Sequence, residues 1–159
     1  MKHPSIVEFF DVEETSNNLY LFFEYCEQDL EKYIKEHMFD RKPEDILRFT
    51  KQILSGCSYF TSKGFLHRDI KPANILLKGG QIKLADFGLA TQIQDVEKSV
   101  TFAGTPHYMA PEILRGSSVK MKDIGKCDVW SVGITLFELA TGELPFGMSK
   151  KDLSEQKII

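Results

Sequence analysis

The chain reads as a mixed α+β fold in which helices dominate, and three observations carry that reading. Two runs rich in β-branched and aromatic residues, Ile6 to Val12 and Leu19 to Tyr25, flank the polar stretch Glu14-Thr15-Ser16-Asn17-Asn18, which is a hairpin signal. Beyond Pro43, the residues Ile46, Phe49, Ile53, Cys57 and Phe60 recur every three or four positions, the spacing of one helical face. Asp128 to Thr141 is apolar nearly all round, which predicts a helix enclosed by the rest of the protein.

The remaining elements follow in order. Gln28 to His37 suits a short amphipathic helix with Leu30, Tyr33 and Ile34 on one face. The longer helix opens with Pro43 in its first turn, and Glu44 and Asp45 complement the positive end of its dipole. It stops at Lys63-Gly64. Asn74 to Leu77 and Ile82 to Leu84 are short apolar strands around the turn Lys78-Gly79-Gly80. No Gly- or Ser-rich linker and no internal repeat divides the chain, so its 159 residues form one domain or a large piece of one.

Composition narrows the class. Hydrophobic residues make up 42% and charged residues 27%, as in an ordinary globular protein, and a net charge of -3 gives no electrostatic reason to expect nucleic acid or an anionic membrane as partner. There is no run of about 18 apolar residues, and MKHPSIVEFF lacks the form of a signal peptide. A cytoplasmic protein is expected. Cys26, Cys57 and Cys127 are widely spaced and odd in number, the pattern of buried reduced thiols rather than of a metal site or a disulfide framework.

The chemistry concentrates in HRDIKPANILLKGGQIKLADFG, residues 67–88. Asp69 and Asn74 are five residues apart, and Asp86-Phe87-Gly88 follows twelve residues after Asn74. A base candidate, a cation (Lys71) and two hard oxygen ligands thus lie on two loops joined by a hairpin, a layout suited to moving a phosphoryl group. Singly, a loop Asp or Asn is more often a turn or cap residue and a lone Lys is more often solvated. The four in this order point to a catalytic site.

This stretch resembles the catalytic and magnesium-binding loops of protein kinases, H-R-D-x-K-x-x-N followed by D-F-G. The resemblance implies a protein-kinase-like fold and ATP with Mg2+ as cofactors. In it Asp69 orients or accepts the proton of the attacking hydroxyl, Lys71 stabilises the transferred phosphoryl, and Asn74 and Asp86 hold the metal. His67 is then a packing residue stacked with Phe87 in a column that Phe9 extends. Lys71, together with Thr105 in Gly104-Thr105-Pro106, resembles serine/threonine rather than tyrosine kinases, and Thr105 is placed to bond both Asp69 and Lys71.

Asp86 to Glu112 matches the activation segment, which ends in Ala110-Pro111-Glu112. Arg68 is implied to receive a regulatory phosphate on it, carried by Thr101 or, second, Ser99, and added by an upstream kinase. The plain alternative for Thr101 is a polar loop residue. Leu19 to Cys26 matches the strand and hinge of the adenine site, with Phe23 guarding the rear pocket, backbone groups of Glu24 and Cys26 bonding the adenine edge, and Leu76 beneath the ring. Read without the resemblance, these four are ordinary core residues. Asp128 is implied to bond the backbone near His67 and Arg68. Glu112 is implied to meet a buried arginine from beyond residue 159, or else to be exposed, and GSSVKMKDIGK before Asp128 reads as an exposed insertion.

The resemblance spans the whole chain but only the middle of a kinase domain. Residues 1–23 match the end of the small lobe, 24–28 the hinge and 29–159 an incomplete large lobe. No G-x-G-x-x-G and no V-A-I-K-like strand occurs in the sequence. The expectation is therefore a truncated serine/threonine protein kinase that phosphorylates protein hydroxyls in its complete form and is weak or inactive alone. The alternative is a non-catalytic, kinase-like binding or scaffold module.

Overall fold

A computed structural model describes residues 2–94, 103–116 and 123–147. Strands β1 (Phe9–Glu14) and β2 (Leu19–Phe23) pair antiparallel as the hairpin, with an irregularity between Phe9 and Asp11. Thr15 closes its turn, the amide donating to the Asn18 carbonyl at 2.8 Å and the hydroxyl oxygen accepting the Asn18 amide at 3.1 Å. The first strand starts later than its apolar run. Ile6 and Val7 are buried beside Leu84 instead, tied by Val7 N–H to Leu84 O (2.9 Å) and Leu84 N–H to Ser5 O (2.8 Å).

The first helix also starts late. Gln28 and Asp29 form a short strand, β3, paired with Leu77 and Leu76, and α1 covers Leu30–Glu36. Asp29 then serves as the helix cap, its carboxylate accepting the Lys32 amide at 2.7 Å. The long helix α2, Pro43–Ser62, occupies the span expected from its period. Strand β4 (Phe65–Leu66) follows, and β5 (Ile75–Lys78) and β6 (Gln81–Leu84) form a hairpin whose turn glycines, Gly79 and Gly80, take the left-handed conformation (φ 54° and 76°). β3, β5 and β6 make one small sheet, while β4 pairs with β7 (Thr91–Gln92).

The core forms where α2 lies over the β5–β6 hairpin. Phe49, Ile53 and Phe60 of α2 pack with Ile75, Leu77, Ile82 and Leu84, joined by Leu30 and Ile34 of α1. Gly56 permits this approach: a Cβ there would stand 2.8 Å from Leu84 Cδ1 and 2.9 Å from Ser5 O. Gln52 adds a polar tie, its Oε1 accepting the Ile82 amide at 2.8 Å.

The short helix α3 covers Pro111–Leu114, and α4 runs from Lys126 to Thr141. α4 is not enclosed on all sides as its composition predicts. Val132, Thr135 and Leu139 are buried, whereas Val129 is 65% and Phe137 44% exposed among the described residues. Its C-terminus is closed by left-handed Gly142 and by Arg41, whose guanidinium donates to the Leu139 carbonyl at 2.7 Å. The cysteines are half-buried rather than buried, and all three are free thiols. Burial pushes Cys57 and Cys127 each up to about 12, so neither ionises near neutral pH.

Candidate active site

The loop after β4 is fixed from below by the start of α4. Asp128, 6% exposed, accepts the His67 amide at 2.8 Å on one carboxylate oxygen and the Arg68 amide at 2.9 Å on the other. Burial raises its pKa, and the two amides oppose that rise. Between these anchors Arg68 adopts a left-handed conformation (φ 71°), costly for a non-glycine residue and typical of a backbone held by its surroundings.

His67 is buried within the loop. Its Nδ1 accepts the Asp69 amide at 3.4 Å, which puts the ring proton on Nε2, where it is donated to the Ala85 carbonyl at 3.0 Å. Its ring meets Phe87 at 5.2 Å between centroids. The third ring of the group is Phe60 of α2, 5.1 Å from Phe87. Phe9 does not extend this cluster: it packs edge-on against Phe23 at 5.6 Å and is 50% exposed. The sequence pattern marked Phe60 only as a core position of its helix.

Around Asp69 the expected residues converge. Its Oδ1 accepts both the amide (2.9 Å) and the hydroxyl (2.8 Å) of Thr105, and its Oδ2 faces Lys71 Nζ at 2.8 Å and Asn74 Nδ2 at 2.8 Å. Lys71 also donates to the Thr105 hydroxyl oxygen at 2.7 Å, so Asp69, Lys71 and Thr105 form a closed triangle. Burial alone would raise the pKa of Asp69, but the Lys71 ammonium, the Thr105 hydroxyl and the Asn74 amide outweigh it and hold the carboxyl below its ordinary range. The group is therefore an anion near neutral pH, already aimed and hydrogen-bonded.

Asn74 ends a single 3-10 turn, Pro72–Asn74. Its Nδ2 also donates to the Asp69 carbonyl at 2.8 Å, which commits the nitrogen to Asp69 and leaves Oδ1 as the side chain's acceptor. The loop carrying Asp86 is stitched to it through Ala85, whose amide donates to the Asn74 carbonyl at 3.0 Å while its carbonyl receives His67. Asp86 itself is left-handed (φ 59°, ψ 71°) and exposed, with Oδ1 near the Gly88 amide at 3.4 Å.

Gly104 is a residue whose importance the sequence did not reveal. At φ 115° it passes so close to the loop of residues 67–74 that a Cβ would stand 2.4 Å from the Arg68 carbonyl oxygen. Only glycine lets the segment carrying Thr105 lie across that loop.

The adenine candidates differ in burial. Phe23 is 43% exposed, Cys26 and Leu76 are half-buried, and Glu24 is 7% exposed. The Glu24 amide donates to the Glu8 carbonyl (2.9 Å) and the Glu27 amide to the Leu77 carbonyl (3.0 Å), so residues 24–27 are strung between the residue before β1 and β5.

The family model for the protein kinase domain matches residues 1–159. The chain belongs to the protein kinase family. It is 43% identical over 148 residues to the probable serine/threonine-protein kinase KCC4 of Saccharomyces cerevisiae, covering 92% of this chain and 14% of that protein. It is 39% identical over 150 residues to serine/threonine-protein kinase ATG1a of Arabidopsis thaliana, covering 91% and 23%. Over 161 residues it is 37% identical to human serine/threonine-protein kinase ULK1, covering 94% and 15%. The chain thus spans 14–23% of the length of these relatives.

Other expected sites of this kinase chain are placed less fully. Thr101, Ser99 and part of the stretch before Asp128 lie outside the described residues. Glu112, in α3, is half-buried, and its Oε1 lies 3.7 Å from Cys127 Sγ, neither deeply buried nor fully exposed. Among the described residues no helix is long and apolar enough to cross a membrane.

Proposed function

We propose that this chain carries the phosphoryl-transfer site of an ATP-dependent serine/threonine protein kinase. The observation that supports this most is the triangle of Asp69, Lys71 and Thr105 closed by Asn74. Asp69 is held as an anion, so it can accept the proton of a serine or threonine hydroxyl as that oxygen bonds to the γ-phosphorus and the bond to ADP breaks. Lys71 stands beside it to offset charge on the moving phosphoryl, and Thr105 holds both.

The donor set fits a divalent hard ion shared with a nucleotide. Asn74 Oδ1 and the Asp86 carboxylate are oxygen ligands, and among the described residues no cluster of three His, Cys, Asp or Glu could hold a metal alone. Mg2+ usually takes only one or two protein ligands and completes its shell with phosphate and water. When bound, it would neutralise the phosphates and orient them. The Glu24 carbonyl and the Cys26 backbone would take the adenine edge, with Phe23 behind and Leu76 below. We read residues 1–23 as small-lobe hairpin, 24–28 as hinge and 29–159 as large lobe, with Arg68 receiving a phosphate placed on Thr101 or Ser99 by an upstream kinase.

These 159 residues contain no glycine-rich loop and no strand lysine to grip the phosphates, so weak or no turnover is expected of them alone. The test is γ-phosphate transfer to a serine- and threonine-rich carrier protein. It compares the chain with a fusion that supplies a small-lobe segment from a relative ahead of residue 1. Transfer by the fusion that is lost on Asp86→Ala supports the kinase reading. A folded fusion that binds carrier but never phosphorylates it favours the binding-module reading.

A further inference from the structure

The Glu24 carboxylate has a role that bonding adenine through the backbone does not require. Its side chain is 3% exposed and both oxygens are engaged. Oε1 accepts the Glu8 amide at 2.8 Å and pairs with Lys83 Nζ at 2.8 Å, while Oε2 pairs with Lys78 Nζ at 2.8 Å. The donors come from three places. Glu8 stands just before β1, Lys78 ends β5, and Lys83 lies in β6, three residues before Asp86.

Lys83 is the inner partner, its side chain 12% exposed against 49% for Lys78. A buried ion pair seldom stabilises more than apolar residues of the same volume, because both charges lose their water. What it adds over an apolar contact is a fixed geometry. Here that geometry joins residues 24–26 to the strand that delivers Asp86.

We propose that the Glu24–Lys83 pair is a positioning device that sets the spacing between the adenine edge and the Asp86 loop. It rests on the nucleotide reading above. A ligand that touches only residues 24–26 is indifferent to that spacing, whereas one reaching from there to Asp86 depends on it.

The test is calorimetric titration of the full 159-residue chain with adenosine and with Mg·ATP. Lys83→Met should weaken Mg·ATP about tenfold while leaving adenosine within about twofold, and Lys83→Arg should restore Mg·ATP affinity. A role in stability alone would lower the melting temperature and weaken both ligands in proportion. That result, or unchanged Mg·ATP affinity in a folded Lys83→Met variant, overturns the proposal. If the unsubstituted chain binds no Mg·ATP, or Asp86→Ala binds it as well as the unsubstituted chain, the nucleotide reading itself fails and takes this inference with it.

Discussion

Thr105 closes onto Asp69 twice, through its amide at 2.9 Å and its hydroxyl at 2.8 Å, although 36 residues separate them. The amide bond belongs to the backbone and survives any substitution that keeps the segment in place. The hydroxyl is the part that also receives Lys71, so it adds a second link between the anion and the cation beside their direct 2.8 Å pair.

Thr105→Val should therefore separate fit from function. Valine keeps the β-branched shape and the amide bond but leaves Lys71 and Asp69 each one partner short. A hydrogen bond to a charged group contributes about 1.5–3 kcal/mol, which translates into a fall of roughly 10–100-fold in transfer rate if it acts on the reacting geometry. The check is the turnover of the active fusion with and without the substitution, with melting temperature as the control. Thr105→Ser should recover most of the rate.

Gly104→Ala should be severe. The added methyl would lie 2.4 Å from the Arg68 carbonyl oxygen, at a φ of 115° that alanine rarely adopts. Backbone strain of this kind costs about 1–3 kcal/mol before the clash is counted. Chemical denaturation should register at least that loss, and transfer by the fusion should fall as Thr105 moves away from Asp69. A variant as stable as the parent would show that the crossing of the two segments is looser than described.

Much of this arrangement was legible in the sequence, for a physical reason. Asp69, Lys71, Asn74 and Asp86 are polar residues at fixed short spacings, and the β5–β6 hairpin that brings their loops together is set by local turn chemistry at Gly79 and Gly80. Contacts set by tertiary approach were not legible. Phe60, which completes the ring cluster with His67 and Phe87, looks in sequence like any core residue of α2. The close passes at Gly56 and Gly104 depend on what lies opposite them, and the β4–β7 pair is only two residues long on each side. The helical limits went astray where another bond competed: Gln28 and Asp29 pair with β5 before α1 can begin.

Acid should weaken the ties around Glu24 in a specific window. Burial by itself would raise the pKa of Glu24, but Lys78, Lys83 and the Glu8 amide lower it from 4.5 to about 2. A carboxyl whose pKa is lower folded than unfolded stabilises the fold fully above the unfolded value, and that contribution is lost as pH falls through the folded one. Glu24 should thus stabilise the fold at neutral pH, a contribution that declines between about pH 4.5 and 2. Denaturation of the parent and of Glu24→Gln across this range is the check. Their difference in stability should be largest near neutrality and should close toward pH 2.

The central claim is that Asp69 serves as the base of a phosphoryl-transfer site, and Asp69→Asn in the active fusion tests it most directly. Asparagine preserves the size of the side chain and can still accept the Thr105 amide, but it cannot take a proton from the acceptor hydroxyl. The rate of γ-phosphate transfer from Mg·ATP to serine or threonine should fall by at least roughly 100-fold, with Mg·ATP affinity nearly unchanged. Transfer at the parent rate by a folded Asp69→Asn variant would contradict the account.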